Sequence, residues 1–214
     1  MQKINLNFKA IIFDFDGVIL ESVIAKHKAF IQLYEDSNKL TKSQIENFHI
    51  KNHGLTRNAK FLYVQKKILK KKKLSSSQIA QLSSLYTQLI EKNCKNCKLV
   101  RGVKKFIKRK NRTSNLFIVS NIPDRELNAI TRKLKIKKYF KKIYGSANRK
   151  KDSTKKLLKK FKLKNTEVVM IGDTTEDYKS AKHNKIKFLG RISIRKSNPF
   201  NKKTKVINNF IKVY

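Results

Sequence analysis

Acidic residues are what this chain has least of. Fourteen Asp and Glu stand against 53 Lys and Arg in 214 residues, a formal net charge of +39. Such a field favours anionic partners and speeds their encounter, without choosing among phosphate esters, nucleic acid and a membrane surface. The chain is rich in Lys, Asn and Ile, whose codons are A/T-rich, yet codon bias would raise Glu too. Bias therefore accounts for only part of the charge. Cysteine is nearly absent as well. Cys94 and Cys97, in NCKNC, lack the second ligand pair of a structural zinc site and any thioredoxin-like context. Two ordinary thiols in a reducing compartment are expected, with no disulfide framework. Long apolar runs are missing too. The start, MQKINLNFKAIIFDFDG, has no uncharged apolar core before its first strand and is not a signal peptide. No segment reaches the roughly 18 apolar residues of a membrane span. A cytoplasmic protein follows by default. There are no repeats, and His27, His49, His53 and His183 show no metal-ligand spacing.

What is present starts with Lys9–Leu20, KAIIFDFDGVIL. Asp14 and Asp16 sit one residue apart at the end of an apolar run, with Gly17 next. A buried strand has little use for acids at its carboxyl end, whereas ligands of open α/β sheets bind just outside those ends. In a strand of period two, Asp14 and Asp16 point the same way. The competing reading is a strand ending in an Asp/Gly turn.

The rest of the chain divides by pattern. Helical spacing fills the stretch from Ser22 to about Asn96, in SVIAKHKAFIQLYED, TRNAKFLYVQKKIL and SSSQIAQLSSLYTQLIEK, the last capped by one of Ser75–Ser77. KKILKKKK reads as a solvated helix end. After Gly102, helices alternate with short apolar strands. VKKFIKRK is helical, NLFIVS a strand, PDRELNAITRKLK a helix opened by Pro123, YFKKIYG a short strand, DSTKKLLKKFKL a helix, EVVMIGD a strand, TEDYKSAKHN a helix and IKFLGR a strand. VINNFIKVY is expected to close the chain as a helix. The fold class is therefore α/β: a Rossmann-like parallel-sheet core (1–21 and 98–214) with an all-helical cap (22–97) inserted after the first strand. At 39% hydrophobic residues, the chain can bury one sizeable core plus an insert.

Further polar groups fall at strand ends: Ser120 and Asn121 after LFIV, Asp173 after VVMIG, and Asp177 in the next helix. Lys150 and Lys151 open the preceding helix. Carboxylates gathered at one sheet edge repel unless a cation joins them. An all-oxygen cluster suits a hard ion such as magnesium, and a fixed Lys would neutralise phosphoryl charge.

FDFDGVI, IVSN, a Lys at the head of a helix and MIGDTTED, in this order, resemble the haloacid dehalogenase-like hydrolases, over nearly the whole chain. The helical insert resembles the subgroup of phosphoglycolate phosphatases and β-phosphoglucomutases. The resemblance implies Asp14 as nucleophile, forming an aspartyl-phosphate, and Asp16 as the acid and base. It implies Mg2+ held by the Asp14 carboxylate, the Asp16 carbonyl and Asp173, with Asp177 binding through water or fixing Lys150. Ser120 and Lys150 would contact the phosphoryl group. Gly17 and Asn121 would line the phosphate site, Gly17 by allowing a tight turn.

Alternatives remain beside these roles. Counting from the GS of GSANRKK favours Lys150 over Lys151, and the proline usual after that GS in a narrower phosphatase-type subgroup is Ala147 here. Ser120 could be satisfied by backbone, and Asp177 could be a first-turn helix acid. Glu21 and Ser22 either face substrate or start the cap. Arg57 is the cap residue best suited to grip a substrate anion; an exposed surface Arg is the rival. The expected activity is hydrolysis of a small phosphorylated metabolite, such as a sugar phosphate. A β-phosphoglucomutase-like transfer is the first alternative. Nucleic-acid binding or polynucleotide phosphatase activity is the second, not favoured because the basic residues are spread along the chain with no RNA- or DNA-reading motif.

Overall fold

A computed structural model describes residues 4–193 and 198–214; Met1–Lys3, where the signal-peptide reading begins, lie outside the described residues. The chain forms two compact units, one made of residues 1–21 and 99–214, the other of 22–98.

The first unit is a parallel sheet with helices on both faces. Its strands are β1 (Ala10–Phe13), β2 (Asn115–Val119), β3 (Lys142–Tyr144), β4 (Val168–Gly172), β5 (Lys187–Arg191) and β6 (Val206–Ile207). They lie in the order β3-β2-β1-β4-β5-β6, every neighbouring pair parallel. The continuous apolar runs AIIF, LFIV and VVMI are buried on both faces, as parallel strands flanked by helices require. Ala10, Ile12, Phe117, Val119, Val168 and Met170 pack under Leu157 of α7 (Lys150–Lys160) and Ala181 of α8 (Thr175–His183). Thr154 and Ser180 join these two helices through their hydroxyls at 3.2 Å. The other face holds aromatic contacts: Phe13 meets Phe106 of α5 (Val103–Lys110), Phe140 and Phe210 at ring separations of 6.1, 5.9 and 6.4 Å. Each buried ring of this kind contributes about 1.5–3 kcal/mol over an exposed one. α6 (Asp124–Lys133) follows β2.

The second unit contains helices and no strand among its described residues: α1 (Val23–Gln32), α2 (Lys39–Lys51), α3 (Arg57–Tyr63) running into a π-helical turn at Val64–Ile68, and α4 (Ser76–Asn93). Local signals start each of the last three. The side chains of Asn38 and Thr56 accept from the backbone N–H groups of Thr41 and Ala59, and Ser75 forms a reciprocal capping box with Gln78. The centre is aromatic. Phe30 stacks on Phe61 at 6.1 Å, lies 4.3 Å from the ring of buried His49 and meets Tyr86 edge-on at 5.8 Å.

α2 carries no apolar stripe that sequence periodicity could register, since it buries only Ile45 and His49, yet it lies within the stretch expected to be helical. Two expectations need correction. The segment VINNFIKVY is not a helix. Val206 and Ile207 extend the sheet beside Gly190 and Arg191, and Ile207, Phe210 and Val213, all buried, mimic a helical period while serving a strand and turns. Cys94 and Cys97 are joined as a disulfide across the C-terminal end of α4, because the turn there brings the two side chains together.

Candidate active site

The sheet reverses its winding between β1 and β4: the chain builds β1, β2 and β3 outward on one side, then returns for β4, β5 and β6 on the other. Ligands of open α/β sheets bind at this reversal, beyond the carboxyl ends of the strands. Phe13 is level with Ile118 and Ile171, so Asp14, Ser120 and Asp173 emerge at one edge of three adjacent strands. The Asp14 N–H still donates to Ile171 O at 2.9 Å, which continues the ladder into the site.

Lys150, at the start of α7, links the carboxylates. Its Nζ donates to Asp14 Oδ1 at 2.8 Å and to Asp177 Oδ1 at 2.6 Å. All three side chains are at most 7% exposed. Lys151 instead uses its carbonyl oxygen, which accepts from Asn184 Nδ2. Carboxylate oxygens of Asp14, Asp173 and Asp177 lie within 4.8 Å of one another. Three carboxylates against one ammonium leave the cluster short of positive charge. Its donors are all oxygen, so the cluster fits a hard divalent cation.

Burial raises the Asp14 carboxyl to about 7, opposed by Lys150 and reinforced by the charges of Asp177 and Asp16. For Lys150, burial disfavours the ammonium, but the charges and hydrogen bonds of Asp14 and Asp177 outweigh it and the group is shifted upward. The lysine is a permanent cation.

Asp177 does two things. It is the N3 residue of the α8 capping box, with Thr174 donating to its Oδ2 and accepting from its N–H. Its other oxygen holds Lys150. Helix capping and lysine fixing, set apart as rival readings of the sequence, thus coexist in one side chain. Ser120, 1% exposed, accepts from Ile122 N–H at 3.3 Å. Asp16 is half-buried on the turn after β1, bridged to Leu20. Gly17 adopts φ 73° there, a conformation that costs glycine nothing, and its N–H donates to Leu20 O at 2.8 Å. Asn121 follows Ser120 and is half-buried.

Arg57 belongs to the helical unit. It opens α3, is 9% exposed, and its Nη1 donates to Ser83 O, Ser83 Oγ and Thr87 Oγ1 of α4. It is therefore not an exposed surface Arg. His27, His49 and His53 form a run of ring contacts at 5.3 and 5.2 Å.

Sequence reasoning missed two contributors. Gly172 ends β4, and a Cβ there would lie 2.3 Å from Asp177 Cβ; only glycine lets the carboxylate reach Lys150. The Thr174-to-Asp177 spacing of a capping box was the readable signal for the neighbouring constraint. The other contributor is Arg191, which no motif in the sequence marks and which partners Glu21. The two form an ion pair.

A family model described as haloacid dehalogenase-like hydrolase matches residues 11–191. The chain belongs to this family, with the fold of its phosphatases and β-phosphoglucomutase-like members. It is similar to a predicted phosphoglycolate phosphatase from Haemophilus somnus (18% identity, 95% of each chain covered, TM-score 0.71). It is also similar to the HAD-hydrolase YfnB from Bacillus subtilis, bound to magnesium (19%, 95% of each chain, TM-score 0.68). A Thermotoga maritima protein described as a β-phosphoglucomutase shares 17% identity over 88% of each chain, with a TM-score of 0.63. No curated protein matches it in sequence. Among the described residues, no helix is long and apolar enough to cross a membrane.

Proposed function

We propose that this protein is a magnesium-dependent phosphatase acting on a small phosphorylated metabolite, a sugar phosphate being the favoured kind. The observation that carries the reading is the Lys150 bridge between Asp14 and Asp177, within a cluster of three carboxylates at the winding reversal. Asp14 is the nucleophile: its carboxylate oxygen attacks phosphorus, the P–O bond to the alcohol breaks, and Asp16 gives its proton to the leaving oxygen. Asp16, now a carboxylate, takes a proton from water. The resulting hydroxide attacks the phosphoryl group, the bond to Asp14 breaks, and inorganic phosphate leaves.

Ser120 accepts from backbone, so its own O–H is the one to donate to a phosphoryl oxygen. Lys150 places a fixed positive charge beside the nucleophile. The carboxylates of Asp14 and Asp173 and the Asp16 carbonyl would hold Mg2+, with Asp177 fixing Lys150 or binding through water. The ion would supply positive charge to the nucleophile and the phosphoryl oxygens. Similarity to a magnesium-bound hydrolase supports this choice of metal. Gly17 and Asn121 line the phosphate site. Metabolites of this class are held inside cells, so the reading carries a cytoplasmic location.

The test is phosphate release from a panel of phosphorylated metabolites with Mg2+, for the wild type and Asp14→Asn. Turnover by the wild type, lost in the variant while its circular dichroism stays native, is the expected result. Retained turnover in the variant removes Asp14 as nucleophile.

A further inference from the structure

Arg191 is the last residue of β5 and is 4% exposed. Its guanidinium is directed at the loop that follows β1. Nη1 donates to Gly17 O at 2.9 Å and to Glu21 Oε2 at 3.0 Å, while Nη2 donates to Glu21 Oε1. Nε donates to Asn208 O at 3.2 Å, tying the group to the segment after β6. Two parallel bonds to one carboxylate are the fork geometry that arginine has and lysine lacks. Glu21 ends the N-terminal segment of the first unit, so one side chain grips both the turn after Asp16 and the point where the chain leaves the sheet unit.

The contact with Gly17 matters most. The Gly17 N–H is bound to Leu20 O and its carbonyl to Arg191. The peptide planes on both sides of Gly17 are therefore fixed, and with them the backbone direction at Asp16. A glycine at φ 73° has little of its own to hold that orientation, because it lacks the steric limits of a side chain.

We propose that Arg191 is the positioning residue for Asp16: it holds the Gly17 carbonyl so that the Asp16 carboxyl points at the leaving oxygen, and Glu21 holds Arg191 in place. This rests on the phosphatase reading above. Its signature is a dependence on the leaving group, because misdirecting a proton donor hurts esters whose alcohol needs the proton and spares those whose alcohol departs without it.

The experiment compares wild type, Arg191→Gln, Arg191→Lys and Glu21→Gln on glycerol phosphate and p-nitrophenyl phosphate. Hydrogen–deuterium exchange of the peptide covering 14–21 is measured alongside. In Arg191→Gln, kcat on the alkyl ester falls about tenfold to a hundredfold, and on the aryl ester much less; exchange in 14–21 speeds up. Arg191→Lys lies between, and Glu21→Gln, which keeps the Gly17 bond, falls less than Arg191→Gln. An equal loss on both esters, or unchanged exchange in 14–21, overturns the proposal. The phosphatase reading itself fails only if the wild type releases phosphate from neither of these esters and from no member of the metabolite panel, and exchange in the four proteins then alone decides whether Arg191 holds the loop.

Discussion

The two units bury different things for different ends. The sheet unit hides apolar side chains along its strands and gathers four buried charges, Asp14, Lys150, Asp177 and Arg191, at or near the strands' carboxyl ends, while Lys110 lies apart and donates to Leu6 O. The helical unit is centred on rings: Phe30, Phe61 and Tyr86 in mutual contact, with His49 against Phe30. In the first, stability and chemistry occupy separate places, the strand interiors and their ends. In the second, the ring cluster joins the helices to one another. Charges at a strand end can be altered without emptying the core, whereas a ring at the meeting point of helices cannot.

The largest effect expected from this contrast is on activity alone. Asp14→Asn removes the proposed nucleophile and lowers kcat by about 10³-fold or more. It does not lower Tm appreciably, because burial already opposes the charge on Asp14; phosphate release and thermal melting read the two sides. Phe30→Ala is the converse. Removing a ring with 0% exposure costs about 3–5 kcal/mol, read as a drop in the urea midpoint. Gly172→Ala tests the crowded edge. The added Cβ forces Asp177 from its place, and a shift of that size costs about a hundredfold in kcat, with a smaller loss of Tm.

Magnesium binding adds a pH test. The Asp14 carboxyl sits at about 7 in the folded, metal-free protein against 3.8 for the free group. Between those values the folded state holds a proton that the unfolded chain has released, so this group's contribution to stability falls as pH rises through that window. Metal binding needs the carboxylate. The Mg2+-induced rise in Tm therefore grows from pH 6 to 8, with apparent affinity climbing toward about tenfold per unit below 7 and levelling above it. A flat response would contradict it. The smallest effect belongs to Ser75→Ala, which removes the α4 cap and costs about 1 kcal/mol, seen as a slight drop in the urea midpoint.

The contrast also explains what could be read in the sequence. Strands β1, β2 and β4 are unbroken apolar runs ended by the residues proposed to carry the chemistry, so composition marks both the element and its edge. The helix α2 has no such mark: Lys39–Lys51 buries one isoleucine and one histidine, and it is placed by packing rather than by periodicity. The closing segment misleads for the opposite reason, since Ile207, Phe210 and Val213 keep a helical period without a helix. At the site, Asp14, Asp16, Ser120, Lys150, Asp173 and Asp177 are legible as polar groups at element ends. Gly172 and Arg191 are not, because one contributes an absent atom and the other acts through a contact 174 residues away in sequence.

One consequence of the Lys150 bridge concerns the protein without its metal. In a structural zinc site the ion holds the fold together, and chelation denatures the domain. Here Asp14 and Asp177 already share a tethered counter-ion, Lys150, that cannot dissociate. On the proposed function, chelator therefore silences the enzyme and leaves it folded, so that loss and return of magnesium would act as an off-switch that erases nothing.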